Sequence, residues 1–339
     1  MTMKKYIYIA FAALGLAACG SDEITEPVMT LDGKQTPMTL TTVVGEPTAV
    51  SRAAGTDAQM QKAQIVQGQK VGVFITDALD RFNNATTQAY ATRYFQSGLE
   101  FVANGSGGWQ GTIPALYWPV DGNNVIVRAY APKQSAWSIN GTNTFKVQSN
   151  QTSTANYLAS DLLNGLSTTA DATTGVTPRN EDSDGTAATI PIKFTHKMAK
   201  ITIKFANAGA GFNNSTINGV YIVNTIAAAT VTTDKYGGIT NLTTSGTTTA
   251  DIQSGTSSAE SSAIVVPTQK VGGTKNFLKV TTSDGGVFYY KPTEFTLEGG
   301  KEYVYTLQLS LYGLTVTSSS IEEWTTVNQT TTVPTLNFS

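Results

Sequence analysis

Along much of this chain apolar residues recur at every second position, and a period of two is the mark of strands that bury one face. In VIVRAY, Val125, Val127 and Ala129 share a face. In KITIKF, Ile201, Ile203 and Phe205 point one way and Lys200, Thr202 and Lys204 the other. In EYVYTLQL, Tyr303, Tyr305, Leu307 and Leu309 line up. Turn chemistry separates such runs: Asp121-Gly122, Asn140-Gly141, Asn218-Gly219 and Gly272-Gly273. FLKVTTSDGGVFYYK reads as a hairpin that turns at Ser283 to Gly286. Helical signals are short, near Asp57 to Gln64 and around SDLLNG, Ser160 to Gly165. The expected class is mainly β, built as sandwiches. A polar stretch without periodicity, Ser167 to Thr189, puts a domain boundary near residue 185.

The first residues follow another logic. Lys4 and Lys5 precede a short apolar run, Tyr6 to Leu16, which is too short to span a bilayer as a permanent helix. It ends in Leu16-Ala17-Ala18-Cys19, similar to a bacterial lipobox, in which small residues admit the peptidase and the thiol accepts a diacylglycerol. Cys19 is the only cysteine of 339 residues, so no internal disulfide is possible. A plain secretory signal with an incidental cysteine is the alternative. Two or more acyl chains would anchor the precursor stably.

Charge and side-chain inventory exclude several functions. With 22 basic and 24 acidic residues there is no surplus for nucleic acid and no polybasic membrane patch. Charged residues make up only 14%, so the surface is polar but weakly charged and tolerates close self-association. His196 is the only histidine, no Gly-x-Ser-x-Gly elbow occurs, and one His with one Cys makes no metal site. No catalytic residue and no cofactor is expected. Asn180 to Gly185, NEDSDG, opens like a calcium loop, but the bidentate Glu would fall at Pro191, and a solvated linker explains it better. Trp109, Trp118 and Trp137 offer a sugar platform; aromatics buried at strand ends are the commoner arrangement.

Several stretches, taken in order, resemble the fimbrillin family of the Bacteroidia, whose members include type V pilins. They are YWPVDGNNVIVRAYAP (117–132), SDLLNG, IPIKFTHKMAKITIKF and FTLEGGKEYVYTLQLSLYGLTVTSSSIEEW (295–324). The resemblance implies two tandem transthyretin-like β-sandwich domains, with His196 in a structural motif near the start of the second. It divides the chain into a signal peptide (1–18), a leader removed on maturation (19–52), an N-terminal sandwich (53–185) and a C-terminal sandwich (186–339). Gly20-Ser21-Asp22-Glu23 resembles an acidic tag for export to the outer face of the outer membrane. It further implies that an arginine-specific protease cuts the surface lipoprotein between Arg52 and Ala53.

Cutting there would have a mechanical consequence. In the leader, Met38, Leu40, Thr42 and Val44 alternate on one face, so this segment could fill a strand position and leave an apolar groove when released. At the other end, residues 325–339 follow Trp324, and Pro334, Leu336 and Phe338 alternate there. This tail resembles the donor segment of stalk pilins. The implied function is a pilin that polymerises by donor-strand exchange and serves adhesion. Its partners would be other subunits, including anchor and tip subunits, the protease, the outer membrane through the lipid, and a host or bacterial receptor. The rival expectation is a lipid-anchored surface protein that binds a glycan or host ligand and does not polymerise.

Overall fold

The computed structural model describes residues 37–44, 65–77, 95–111, 116–119, 124–179, 189–206, 216–310 and 313–324. Strands dominate them, and α1 (Thr154–Ser160) is the only helix among the described residues. Ser153 caps it by accepting from the Asn156 N–H. The expected helical signal in SDLLNG is corrected here: its first residue ends α1, while Leu163–Ser167 is a strand. Asp57 to Gln64, Asp121-Gly122 and Asn180 to Gly185 lie outside the described residues.

Six strands form the largest sheet, in the order β1-β7-β6-β4-β2-β3. They are β1 (Thr39–Val44), β2 (Lys70–Asp77), β3 (Phe95–Val102), β4 (Val125–Ala131), β6 (Leu163–Ser167) and β7 (Thr189–His196). The boundary expected near residue 185 lies outside the described residues. Beyond it, β7 pairs with β6 in this same sheet, so the sheet extends to His196. One face carries Val71, Val73, Ile75, Val127, Ala129, Ile190, Ile192 and Phe194 into a core with Phe101, Leu116 and Trp118. Trp118 is fully buried, in the irregular segment between β3 and β4 and not at a strand end.

The chain then runs through Lys197 and Met198 into two stacked four-stranded sheets. One has the order β12-β9-β15-β16 and the other β13-β8-β18-β19. Their strands are β8 (Ala199–Phe205), β9 (Ile217–Ile226), β12 (Thr249–Gly255), β13 (Ser261–Val265), β15 (Leu278–Thr282), β16 (Val287–Tyr290), β18 (Lys301–Ser310) and β19 (Gly313–Glu323). Val220, Ile222, Leu278 and Val280 meet Ile201, Ile203, Tyr303, Tyr305 and Leu307 in the second core. Here the alternation expected for Tyr303 to Leu309 matches the buried face. In β8, however, both faces are covered. Lys200 is 1% exposed, ion-paired at 2.8 Å to Glu302, which also accepts from Thr202 Oγ1 at 2.6 Å. A small two-stranded sheet, β14 (Lys270–Val271) with β17 (Phe295–Thr296), closes one end.

The two halves interlock. β5 (Thr142–Lys146) joins β10 (Ala228–Thr233) and β11 (Ile239–Thr244) in a three-stranded sheet. The turn before β11 reaches the second face of the six-stranded sheet, where the Ile239 N–H donates to Asn164 Oδ1 at 3.1 Å. Phe74, Tyr130 and Trp137 stack on that face, with Tyr130 and Trp137 centroids 4.5 Å apart. The middle of the six-stranded sheet is therefore covered on both sides, which explains why β4 shows almost no exposed residue.

Gly165 marks the tightest point between β6 and its neighbours. A Cβ there would stand 2.7 Å from the Phe194 ring and 2.9 Å from the Ala129 Cβ, and neither group has room to move. Gly165→Ala is expected to destabilise the protein by about 1–3 kcal/mol through overpacking, read as a lower midpoint in urea unfolding.

Candidate functional site

The site is the edge of β7 that carries β1. The two strands run parallel, with Leu40 opposite Ile190, Thr42 opposite Ile192 and Val44 opposite Phe194. Pro191 directs its carbonyl to Thr168 on the β6 side, so by alternation Ile190, Ile192 and Phe194 turn their main-chain groups to β1. The proline's missing N–H is thus not subtracted from the β1 ladder. Met38, Leu40 and Thr42 are 5%, 3% and 2% exposed and point into the core.

A loop holds the outer edge of β1. The Met38 N–H donates to Leu116 C=O and the Thr42 N–H to Gly107 C=O, both at 2.8 Å. Trp109 Nε1–H donates to Leu40 C=O at 2.7 Å, while its ring packs on Phe101 at 4.8 Å. β1 is consequently a filler seated in a slot, bonded on both sides. The fit has one flaw: Thr42 Oγ1 is buried without a hydrogen-bond partner.

A second cluster sits where β7 ends. His196 Nδ1 and Asp161 Oδ1 are 2.8 Å apart, and both side chains are 1% exposed. The Trp324 ring stacks on the imidazole at 3.9 Å and 11°. Burial, together with the charges of Asp161 and Glu302, holds the Tyr157 hydroxyl well above its usual pKa. Burial also lowers the pKa of the neighbouring Lys197 ammonium. His196 Nε2 is buried without a hydrogen-bond partner. What the Asp161–His196 contact does is orient a ring on which Trp324, the last described aromatic, rests.

Sequence reasoning singled out the β1 residues and His196. It missed Trp109, Leu116 and Gly107 as the clamp, and it missed the link from His196 to Asp161 and Trp324. The isolated Trp109 in an irregular stretch was the one available signal. Among the tryptophans weighed as a sugar platform, Trp109 is used on β1, Trp118 is buried and Trp137 lies on Tyr130. Cys19, Arg52, Ala53, Pro334, Leu336 and Phe338 lie outside the described residues.

The model of the fimbrillin-like family matches residues 51–324. No curated protein matches the chain in sequence. Among solved structures, a protein assigned to cell adhesion from Bacteroides uniformis is 19% identical, with a TM-score of 0.58 over 88% of this chain and 100% of that one. Another, from Bacteroides ovatus, is 18% identical, with a TM-score of 0.56 over 87% of this chain and 99% of that one. At such identities the likeness is one of fold.

Two substitutions separate the terms that hold β1. Trp109→Phe keeps the ring but deletes the donor to Leu40 C=O, and should cost the uncut chain about 0.5–1.5 kcal/mol. Thr42→Val removes the unpartnered hydroxyl and should stabilise by about 1 kcal/mol. Guanidinium unfolding of the uncut protein measures both; equal signs for the two changes would refute the seating described.

Proposed function

The chain belongs to the fimbrillin-like family of fimbrial and cell-adhesion proteins, and from that premise we propose that it is a structural pilus subunit, not an enzyme, assembled by exchange of strands. One observation carries the reading: β1 is a complete ladder strand with three inward side chains in the first core. It is the last described segment before the stretch that contains Arg52. The family match begins at residue 51 and ends at residue 324, so the leader strand and the tail both lie outside it.

In this reading the precursor is lipidated on Cys19 and carried to the outer membrane. An arginine-specific protease cuts between Arg52 and Ala53 and frees the segment that includes β1. Withdrawal exposes Ile190, Ile192 and Phe194 side chains together with their unpaired main-chain groups, a combination that cannot stay open in water without a partner. The tail of another copy supplies one. Burying Leu336 and Phe338 contributes about 1.5–3 kcal/mol each, and each ladder hydrogen bond about 0.5–1.5 kcal/mol. Such head-to-tail contact is heterologous and yields an open filament, as a stalk subunit requires. Anchor and tip subunits would end the filament, and a host or bacterial receptor would be met by the pilus.

The decisive experiment is N-terminal sequencing and intact mass of the protein sheared from cells. A chain starting at Ala53 without lipid mass is the expected result, and Arg52→Ala should leave an acylated precursor with no polymers. Acylated Cys19 on the only surface form of the unmodified protein would overturn the reading. Deleting residues 331–339 should leave a folded, processed monomer.

A further inference from the structure

β1 and β3 lie at opposite edges of the six-stranded sheet, yet the hairpin that extends β3 is what covers β1. The chain leaves β3 at Ala103, turns, and pairs back antiparallel at Trp109. The Gln110 N–H donates to Val102 C=O at 2.8 Å and closes the stem. The sheet thus curls until its last strand reaches over its first, and β1 is enclosed although it ends the strand order.

The hairpin keeps its shape without help from β1. Asn104 Oδ1 accepts from the Ser106 N–H at 2.7 Å and from the Gly108 N–H at 3.0 Å. The Asn104 N–H donates to Gly108 C=O at 3.0 Å. Gly105 and Gly107 hold φ angles of 78° and 85°, a region that glycine enters freely and residues with a Cβ do not. The root is tied to the residues before β2: the Gly68 N–H donates to Ala103 C=O, and the Ala103 N–H to Gln69 C=O. Toward β1 the hairpin accepts one hydrogen bond, from the Thr42 N–H to Gly107 C=O, and gives one, from Trp109 Nε1–H to Leu40 C=O. Both partners are main-chain groups, so it grips β1 without reading the side chains.

This division sets an order of events. Met38, Leu40 and Thr42 turn main-chain groups outward, so Thr39, Thr41 and Val43 turn theirs to β7. If the hairpin swings on its root, the bonds at Leu40 and Thr42 break while the β7 ladder and the buried side chains stay in place. With the hairpin seated, β1 would have to give up both sides and its core contacts in one step. We propose that the Ala103–Gln110 hairpin is a latch, which holds the cut leader in its slot and must swing open before β1 can leave. This rests on the strand-exchange reading above, and adds that exchange is timed by the latch and not by the cut.

The uncut protein tests the swing. In hydrogen exchange read by NMR and corrected for intrinsic rates, the Thr42 N–H and Trp109 Nε1–H should open together, at least tenfold more often than the Thr41 and Val43 N–H groups. Equal protection of all four would mean that strand and hairpin open as one unit, and would overturn the latch alone. The cut protein tests the gate. After cleavage at Arg52 the leader should remain with the body on size exclusion. Its release, chased with an excess of labelled peptide of residues 37–44 and followed by mass, should be about two- to tenfold faster in Trp109→Phe and in Asn104→Ala than in the unmodified protein. Asn104 makes its bonds within the hairpin, so its effect comes through the latch. Release at one rate in all three proteins would overturn the proposal. A leader that leaves none of them would overturn strand exchange, and the gate with it.

Discussion

Every buried main-chain N–H and C=O must find a partner, and at the β1 edge of β7 that requirement falls on three residues, Ile190, Ile192 and Phe194. Their side chains build the floor of the first core while their amides face outward to β1. Neither demand can be met by water alone, since the groove is both apolar and strand-shaped. Its neighbours are arranged around this need: Gly107 and Leu116 accept hydrogen bonds from β1, and Trp109 reaches down to its backbone. An open edge here would leave apolar side chains and main-chain groups without partners together, and β1 meets both needs.

β7 also joins the halves. It ends in His196, held by Asp161 and covered by Trp324, and continues through Met198 into β8 at the centre of the second core. Asp161 closes α1, whose Tyr157 lies near Glu302, the partner of buried Lys200. A buried ion pair of this kind adds little net stability but costs heavily if one member is removed. It adds a side-chain tie between the paired strands β8 and β18. Order at the crossover is therefore shared among α1, β7 and the end of β19, elements far apart in the chain.

Much of this was legible in the sequence where the period was two. The inward sets of β4, β8 and β18 follow alternation, and so do Met38, Leu40 and Thr42. What alternation could not reveal is a second buried face. Lys200 and Thr202 read as solvent-facing because nothing local announces that α1 and Glu302 will cover them. SDLLNG read as a helix because seven residues of α1 and five of β6 meet within it, and runs that short have no resolvable period. The roles of Trp109 and Trp324 were hidden for a related reason: each acts through long-range contacts, and single residues carry no pattern.

The stacking of Trp324 on His196 has a mechanical meaning. In the filament proposed above, each subunit would be pulled at its groove and at the root of its tail. Here those two points are the last residues of one strand and a ring that rests on it. Tension would enter along β7 as shear on its ladder and leave almost at once through Trp324. Neither core would then need to carry the load, and the sheets beside the line of force would be free to vary in surface without weakening the thread.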